Sequence, residues 1–106
     1  MAVKIVRLPS DQFRARGYRT TPTPFFLLKS KKNAGDRARI GVVVGAAVHK
    51  SAAKRNFWKR QARAALTPLV AGGHDILIMV SPGATRLTRR RFREEVVKAL
   101  TRPQQK

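Results

Sequence analysis

Residues 54–63 have the pattern of an amphipathic helix with one aromatic side and one basic side. At about 100° per residue, Arg55, Lys59 and Arg63 fall in one i, i+4 row, and Asn56 and Arg60 form the row beside it. The aromatic and alanine residues fall on the other side: Phe57, Trp58, Ala62, Ala64 and Ala65. We therefore expect this helix to bury its aromatic side against the rest of the chain and to present a basic stripe.

The rest of the chain alternates between strand and helix patterns. Pro22 and Pro24 exclude a helix around them, so residues 20–24 are expected to be extended. The periodicity predicts strands and helices in this order: a helix at 9–16, strands at 25–29 and 39–45, a helix at 51–66, a strand at 75–80 and a helix at 88–100. This order predicts a small α+β sandwich, with residues 1–106 as a single RNA-binding domain and residues 101–106 as a disordered tail.

The charge of the chain restricts its partners. It carries 24 Lys and Arg against 5 Asp and Glu, a formal net charge of +19. A compact domain with this charge repels itself and is expected to bind a polyanion, for which nucleic acid is the first candidate. A membrane is not expected to be the partner, because the apolar helix faces are needed for the core. No targeting or membrane-spanning pattern is present, and we expect a cytoplasmic protein.

Two patterns taken together resemble a known family. Residues 39–44 read Arg-Ile-Gly-Val-Val-Val, and about ten residues later the helix reads Arg-Asn-x-x-Lys-Arg-x-x-Arg over 55–63. This combination resembles the protein subunit of bacterial ribonuclease P. The start of the chain (Arg7-Leu8 and Phe13), the strand at 75–80 and the helix at 88–100 are similar to further parts of the family pattern, so the resemblance spans residues 7–100.

The resemblance implies a specific fold and function. The fold would be a two-layer αβββαβα sandwich with a left-handed βαβ crossover, the ribosomal protein S5 domain 2-like fold. The function would be that of an accessory subunit of an RNA-based endoribonuclease, which removes the 5′ leader from precursor tRNA. The RNA subunit, with bound Mg²⁺, would carry the hydrolysis. The protein would bind that RNA and guide the leader, and no protein partner would be required.

The basic helix departs from the family motif in ways that affect its RNA contacts. Phe57 stands where the family has a second arginine, and Gly45-Ala46-Ala47 stands where it has Ser-Lys-Lys. Lys50 and Lys54 are expected to supply charge lost at these positions. The predicted RNA-binding residues are therefore Lys50, Lys54, Arg55, Asn56, Lys59, Arg60 and Arg63.

A second candidate surface follows from the alternation of strand side chains. Gly41, Val43 and Gly45 share a face that is too small to carry a full core. We expect this face to remain a shallow groove on which leader nucleotides stack. The predicted leader-binding residues are Phe13, Phe26, Leu28 and Val43. The alternative is that Phe13 only docks its helix on the sheet.

The sequence does not predict a catalytic or metal-binding site in the protein itself. A two-metal nuclease needs converging carboxylates, and the five acidic residues are scattered over the chain: Asp11, Asp36, Asp75, Glu94 and Glu95. Asp75 is expected to cap the preceding glycine turn. His49 and His74 are far apart in sequence, and the absence of cysteine excludes a thiol nucleophile. The alternatives left open are a ribosomal protein or other structural RNA binder, a DNA-compacting protein and a self-sufficient nuclease.

Overall fold

A computed structural model of the chain describes residues 5–9, 13, 16–33, 35–69 and 72–101, and the side chains of all of these except 5 and 101. Within them the chain forms five strands, two helices and one short 3-10 turn. The elements, in chain order, are β1 (Ile5–Arg7), β2 (Arg19–Pro22), β3 (Phe26–Lys32), β4 (Ala38–Val44), α1 (Ala52–Leu66), β5 (His74–Val80), the 3-10 turn (Pro82–Arg86) and α2 (Arg89–Thr101). The helix expected at 9–16 lies mainly outside the described residues. Of the tail expected at 101–106, Thr101 is the last residue of α2, and residues 102–106 lie outside the described residues.

The strands form one mixed sheet in the order β1-β4-β5-β3-β2. The strands β1, β4 and β5 are parallel, whereas β3 is antiparallel to both β5 and β2. Because β4 and β5 are parallel neighbours, the chain crosses over between them through α1. The α+β fold expected from the sequence is confirmed, with β1 and the full length of β3 as additions that the sequence pattern did not predict.

The register of β3 decides which of its side chains face the helices. Leu28 pairs with Ile78, which pairs with Val42, whereas Leu27 pairs with Met79, which pairs with Val43. Phe26 and Leu28 are buried in the core beneath the helices. The prediction that they share a face with Val43 is therefore wrong. The prediction that Phe26 and Leu28 share one face of β3 was correct. The sequence did not show how β3 pairs with β5, and that pairing decides which face lies against the helices.

The core on the helix side is centred on three aromatic rings. Trp58 of α1 and Phe26 of β3 each contact Phe92 of α2 edge to face, with ring centroids 5.4 and 5.8 Å apart. This geometry suits the aromatic quadrupole and joins the sheet to both helices. In α1 the buried residues are Trp58, Ala62, Ala65 and Leu66. Ala64 is exposed and Phe57 is only half-buried, so the buried side of α1 is narrower than predicted.

Both helices begin where the sequence indicates. Ser51 is the N-cap of α1, and its hydroxyl accepts a hydrogen bond of 3.4 Å from the Lys54 amide. Before α2, the Thr88 hydroxyl accepts one of 3.1 Å from the Arg91 amide. Each bond satisfies a backbone N–H that the helix itself cannot pair.

Asp75 joins three segments of the sheet instead of capping the glycine turn, so the role predicted for it is wrong. Its carboxylate is fully buried and accepts hydrogen bonds of 2.7 and 2.6 Å from the Arg39 guanidinium and one of 2.8 Å from the Asn33 amide. Burial alone would raise the pKa of Asp75, but the hydrogen bonds from Arg39 and Asn33 and the Arg39 charge hold it below its ordinary value. The pair fixes β4 against β5 and anchors the start of the β3–β4 loop.

We expect Asp75→Asn to lower the free energy of unfolding at neutral pH by about 2 kcal/mol, because charged hydrogen bonds are lost at a buried site. Folding lowers the pKa of Asp75, so its contribution is complete above the unfolded-state value of about 3.9. It is lost as the pH falls through the lower folded-state value. Denaturant unfolding measured from pH 7 down to pH 2 should therefore show that the free energy of unfolding falls less with acid in the variant than in the wild type. The control is Asp36→Asn at an exposed position, and equal acid profiles for Asp75→Asn and wild type would contradict this role.

Candidate nucleic-acid interface

The loop before α1 is tied to the helix by Arg55. Its guanidinium Nη1 donates to the carbonyl oxygens of His49 at 2.9 Å and Lys50 at 2.8 Å. The Ser51 amide donates to His49 Nδ1 at 3.0 Å. Arg55 is thus a half-buried residue that orders the loop, and an arginine retains further N–H groups for a phosphate. His49 uses Nδ1 within this local network.

The basic row of α1 and the predicted groove meet at one place. Lys59 and Arg63 line a groove with a volume of about 470 Å³, together with Phe13, Gly41 and Val43. The other five predicted RNA-binding residues lie outside the lining of this groove: Arg55 is half-buried, and the exposed ones are Lys50, Lys54, Asn56 and Arg60. The side chains that the sequence assigned to two separate functions therefore form a continuous surface.

Gly41 gives the groove its depth. A Cβ atom at this position would lie 2.7 Å from Cε1 of Phe13, 3.1 Å from Leu8 and 3.2 Å from Leu77. The absence of a side chain lets the Phe13 ring lie directly on β4, and Leu8 and Leu77 are buried beside it. Phe13 itself is half-buried. It both packs on the sheet and presents part of its ring to the groove, so it fits the structural and the binding interpretation.

The groove also borders a strand edge. Strand β1 pairs with β4 only at Ala38–Ile40, followed by a hydrogen bond from the Leu8 amide to the Ile40 carbonyl. Among the described residues, no strand continues along this edge of Val42–Val44, and these residues line the groove. Backbone groups at an open edge can hydrogen-bond to a ligand.

Sequence reasoning missed several residues of this surface. The groove is also lined by Arg7, the last residue of β1, and by Leu8 and Pro9, which follow it. Leu27 and Met79 flank Val43 across the sheet, where Phe26 and Leu28 had been expected. The missing signal was the register of β3 on β5, which exchanges the two faces of β3.

The described part of the chain holds no group of three or more His, Cys, Asp and Glu residues that could bind a metal ion. Its one buried carboxylate, that of Asp75, is already bonded to Arg39 and Asn33. None of the described helices is long and apolar enough to cross a membrane.

Comparisons with solved structures agree with this architecture. The ribonuclease P protein of Thermotoga maritima superposes with a TM-score of 0.77 at 22% identity, covering 94% of this chain and 99% of that one. The Staphylococcus aureus ribonuclease P protein also gives a TM-score of 0.77, at 19% identity, covering 92% and 93%. At these identities the likeness establishes the fold. No curated protein sequence gives a significant match.

The family assignment comes from the sequence pattern as a whole. The model of the ribonuclease P family, described as "Ribonuclease P", matches residues 11–104. This span includes the groove residues Phe13 and 41–44 and the basic helix α1. It also includes the three core rings, which are those of Phe26, Trp58 and Phe92. The chain belongs to the ribonuclease P protein family and is the protein component of that ribonucleoprotein.

Proposed function

We propose that this protein binds the catalytic RNA of ribonuclease P through α1 and holds the 5′ leader of precursor tRNA in the groove beside it. The observation that carries the proposal is the continuity of the two surfaces, because Lys59 and Arg63 line the same groove as Phe13 and Val43. A cationic wall next to a partly apolar floor suits a single strand, whose phosphates and bases need different partners.

The contact with the RNA subunit rests on the exposed side of α1. Asn56, Lys59 and Arg60 are exposed, whereas the core residues of α1 lie on its other side. Cations on a rigid helix bind phosphates at fixed spacing and release counterions. Arg55 adds a constraint, since it holds the loop that carries Lys50 against the helix.

Leader binding rests on the floor of the groove. Phe13 and Val43 are half-buried there, so part of each side chain remains accessible to a base. Stacking on such a surface has little sequence preference, which suits a subunit that must accept different leaders. Leu27 and Met79 extend the same face of the sheet and replace Phe26 and Leu28 as candidates for further contacts.

The hydrolysis itself is assigned to the RNA subunit. Mg²⁺ prefers oxygen ligands, and in this assembly RNA phosphates would supply them and the ion would activate the attacking water. The described carboxylates do not suit this task, because Asp36 precedes β4, Glu94 and Glu95 lie on α2, and Asp75 is buried in an ion pair. The protein would then contribute binding and orientation of the substrate. We place this assembly in the cytoplasm and assign it no obligatory protein partner.

The first test separates the protein from the RNA. Purified protein, verified to be free of RNA, should not cleave precursor tRNA, because its described carboxylates do not converge. The same protein should raise cleavage by a cognate RNA subunit at low Mg²⁺, since cations of the protein offset the phosphate repulsion that Mg²⁺ otherwise neutralises. Robust cleavage by the protein alone would overturn the assignment of the chemistry.

The second test concerns the basic row. Lys59→Ala combined with Arg60→Ala should reduce the salt slope of RNA-subunit binding by about 1.4 to 1.8, at roughly 0.7–0.9 per phosphate contact. Thermal stability should be unchanged, because both side chains are exposed. Arg55→Ala is expected to disorder the loop at 45–50 as well, because Arg55 donates hydrogen bonds to two carbonyl oxygens of that loop. The slope is measured by titrating binding at several KCl concentrations, and an unchanged slope in the double variant would count against these contacts.

The third test compares two phenylalanines. Phe13→Ala should weaken binding of leader-bearing tRNA by about 1–3 kcal/mol in the assembled enzyme, with no change for mature tRNA. Phe26→Ala should instead lower the free energy of unfolding by about 3–5 kcal/mol, because Phe26 is a fully buried core residue. Affinities for both RNAs and denaturant unfolding are measured for each variant. If Phe13→Ala weakens both RNAs equally, Phe13 serves only the fold.

A further inference from the structure

A second basic pocket lies at the end of the sheet where β2, β3 and β5 meet. It has a volume of about 490 Å³ and is lined by Gly17, Arg19, Ser30, Lys31, Lys32 and His74. None of these residues belongs to α1 or to the groove beside it. Neither the RNA contact nor the leader path described above uses this pocket.

Strand register forces the basic groups of this pocket together. Lys32 pairs directly with His74, and Arg19 pairs with Ser30, two residues from Lys32 on the same face. Diagonal neighbours on adjacent strands lie about 7–8 Å apart, within reach of long side chains. Asp75 pairs with Lys31 across β3 and β5, but its carboxylate is already bonded to Arg39 and Asn33. Arg19 and Lys32 therefore bring two positive charges close together on one face, and a bound anion would offset their repulsion.

Several contacts hold the pocket in shape before any ligand arrives. The Lys31 ammonium lies 4.7 Å from the centre of the Tyr18 ring. His74 Nδ1 lies 3.2 Å from the Gly72 carbonyl oxygen, which leaves Nε2 as the nitrogen available to a ligand. Gly17 has a φ of +92°, in the left-handed region that favours glycine, and leaves its side of the pocket without a side chain. Donors held in place beforehand lose less side-chain entropy when a ligand binds.

The chemistry of the lining selects the ligand. Two lysines, an arginine and a hydroxyl can donate hydrogen bonds to the oxygens of a phosphate group. The lining contains no aromatic ring on which a base could stack. The pocket therefore fits the backbone of a nucleic acid, recognised without regard to sequence.

The position of the pocket indicates which RNA reaches it. Arg19, Ser30, Lys32 and His74 alternate onto the face of the sheet that carries the helices, whereas Val43 and Phe13 define the leader groove on the other face. The pocket and the groove also lie at diagonally opposite corners, about 20 Å apart at 4.8 Å per strand and 3.3 Å per residue. A leader held in the groove lies along β4 between Phe13 and the α1 residues Lys59 and Arg63. The β2–β3 edge is separate from that path, so the RNA subunit is the partner that remains for the pocket.

We propose that this pocket binds a phosphodiester of the catalytic RNA subunit, as a second contact distinct from the α1 row. The proposal rests on the proposed function, in which the RNA subunit is the partner of this chain. It makes the protein a two-point clamp whose contacts lie on α1 and on the β2–β3 edge.

The experiment compares two pairs of charge removals. Arg19→Gln combined with Lys32→Gln should lower the salt slope of RNA-subunit binding by about 1.4 to 1.8, the value for two phosphate contacts. The matched control, Arg90→Gln combined with Arg91→Gln, removes the same charge from exposed positions of α2 and should leave the slope close to wild type. Equal slopes in the two double variants would overturn the proposal, because the effect would then be one of net charge alone.

A second measurement identifies the RNA at the pocket. The chain has no cysteine, so Thr21→Cys, a half-buried position on the same face of β2 as Arg19, can carry a single iron–EDTA cleavage reagent. Discrete cuts in the RNA subunit are expected, at sites different from those produced by the reagent at Ala53→Cys on α1. Cuts confined to precursor tRNA, or none at all, would overturn the proposal. If the wild-type protein fails to bind the RNA subunit, the proposed function fails; if the Lys59 and Arg60 variant changes the slope but the pocket variant does not, only this inference fails.

Discussion

The pairing of β4, β5 and β3 is the constraint on which the rest of the molecule depends. Because Val42, Ile78 and Leu28 share one row and Val43, Met79 and Leu27 share the next, the register decides which side chains enter the core and which remain at the groove. A shift of one residue would exchange the two faces. The buried bonds from Arg39 and Asn33 to Asp75 hold this register at one end of the sheet, and the Phe26–Phe92–Trp58 contacts hold it from the helix side.

The two faces of the sheet differ in function because different segments pack against them. One face carries the aromatic and aliphatic core beneath α1 and α2. On the other face Gly41 lets Phe13 approach the backbone, and Leu8 and Leu77 form a small second apolar layer. This thin layer leaves a groove beside Lys59 and Arg63 rather than a second full core.

Charge is the second constraint on the molecule. With a net charge of +19, the folded chain lacks enough carboxylates to pair its cations. Among the described residues, the one fully buried acid, Asp75, joins strands, and most lysines and arginines lie at the surface. Binding of a polyanion relieves this repulsion. The same argument applies to both basic surfaces, the row on α1 and the pocket lined by Arg19, Lys32 and His74, because a bound polyanion would offset the repulsion at each.

The sequence by itself indicated the basic helix, its start near Ser51, the α+β class and a nucleic-acid partner, because local periodicity and net charge can be read without knowledge of long-range contacts. It also indicated that Phe13 and Val43 lie at the groove. It did not indicate that Leu27 and Met79, rather than Phe26 and Leu28, share a face with Val43. Only the tertiary structure decided those faces, the pairing of Arg39 with Asp75 across 36 positions of the chain, and the meeting of Lys59 with Phe13 in one groove. These depend on strand register and crossover, which arise from contacts between segments that are distant in sequence.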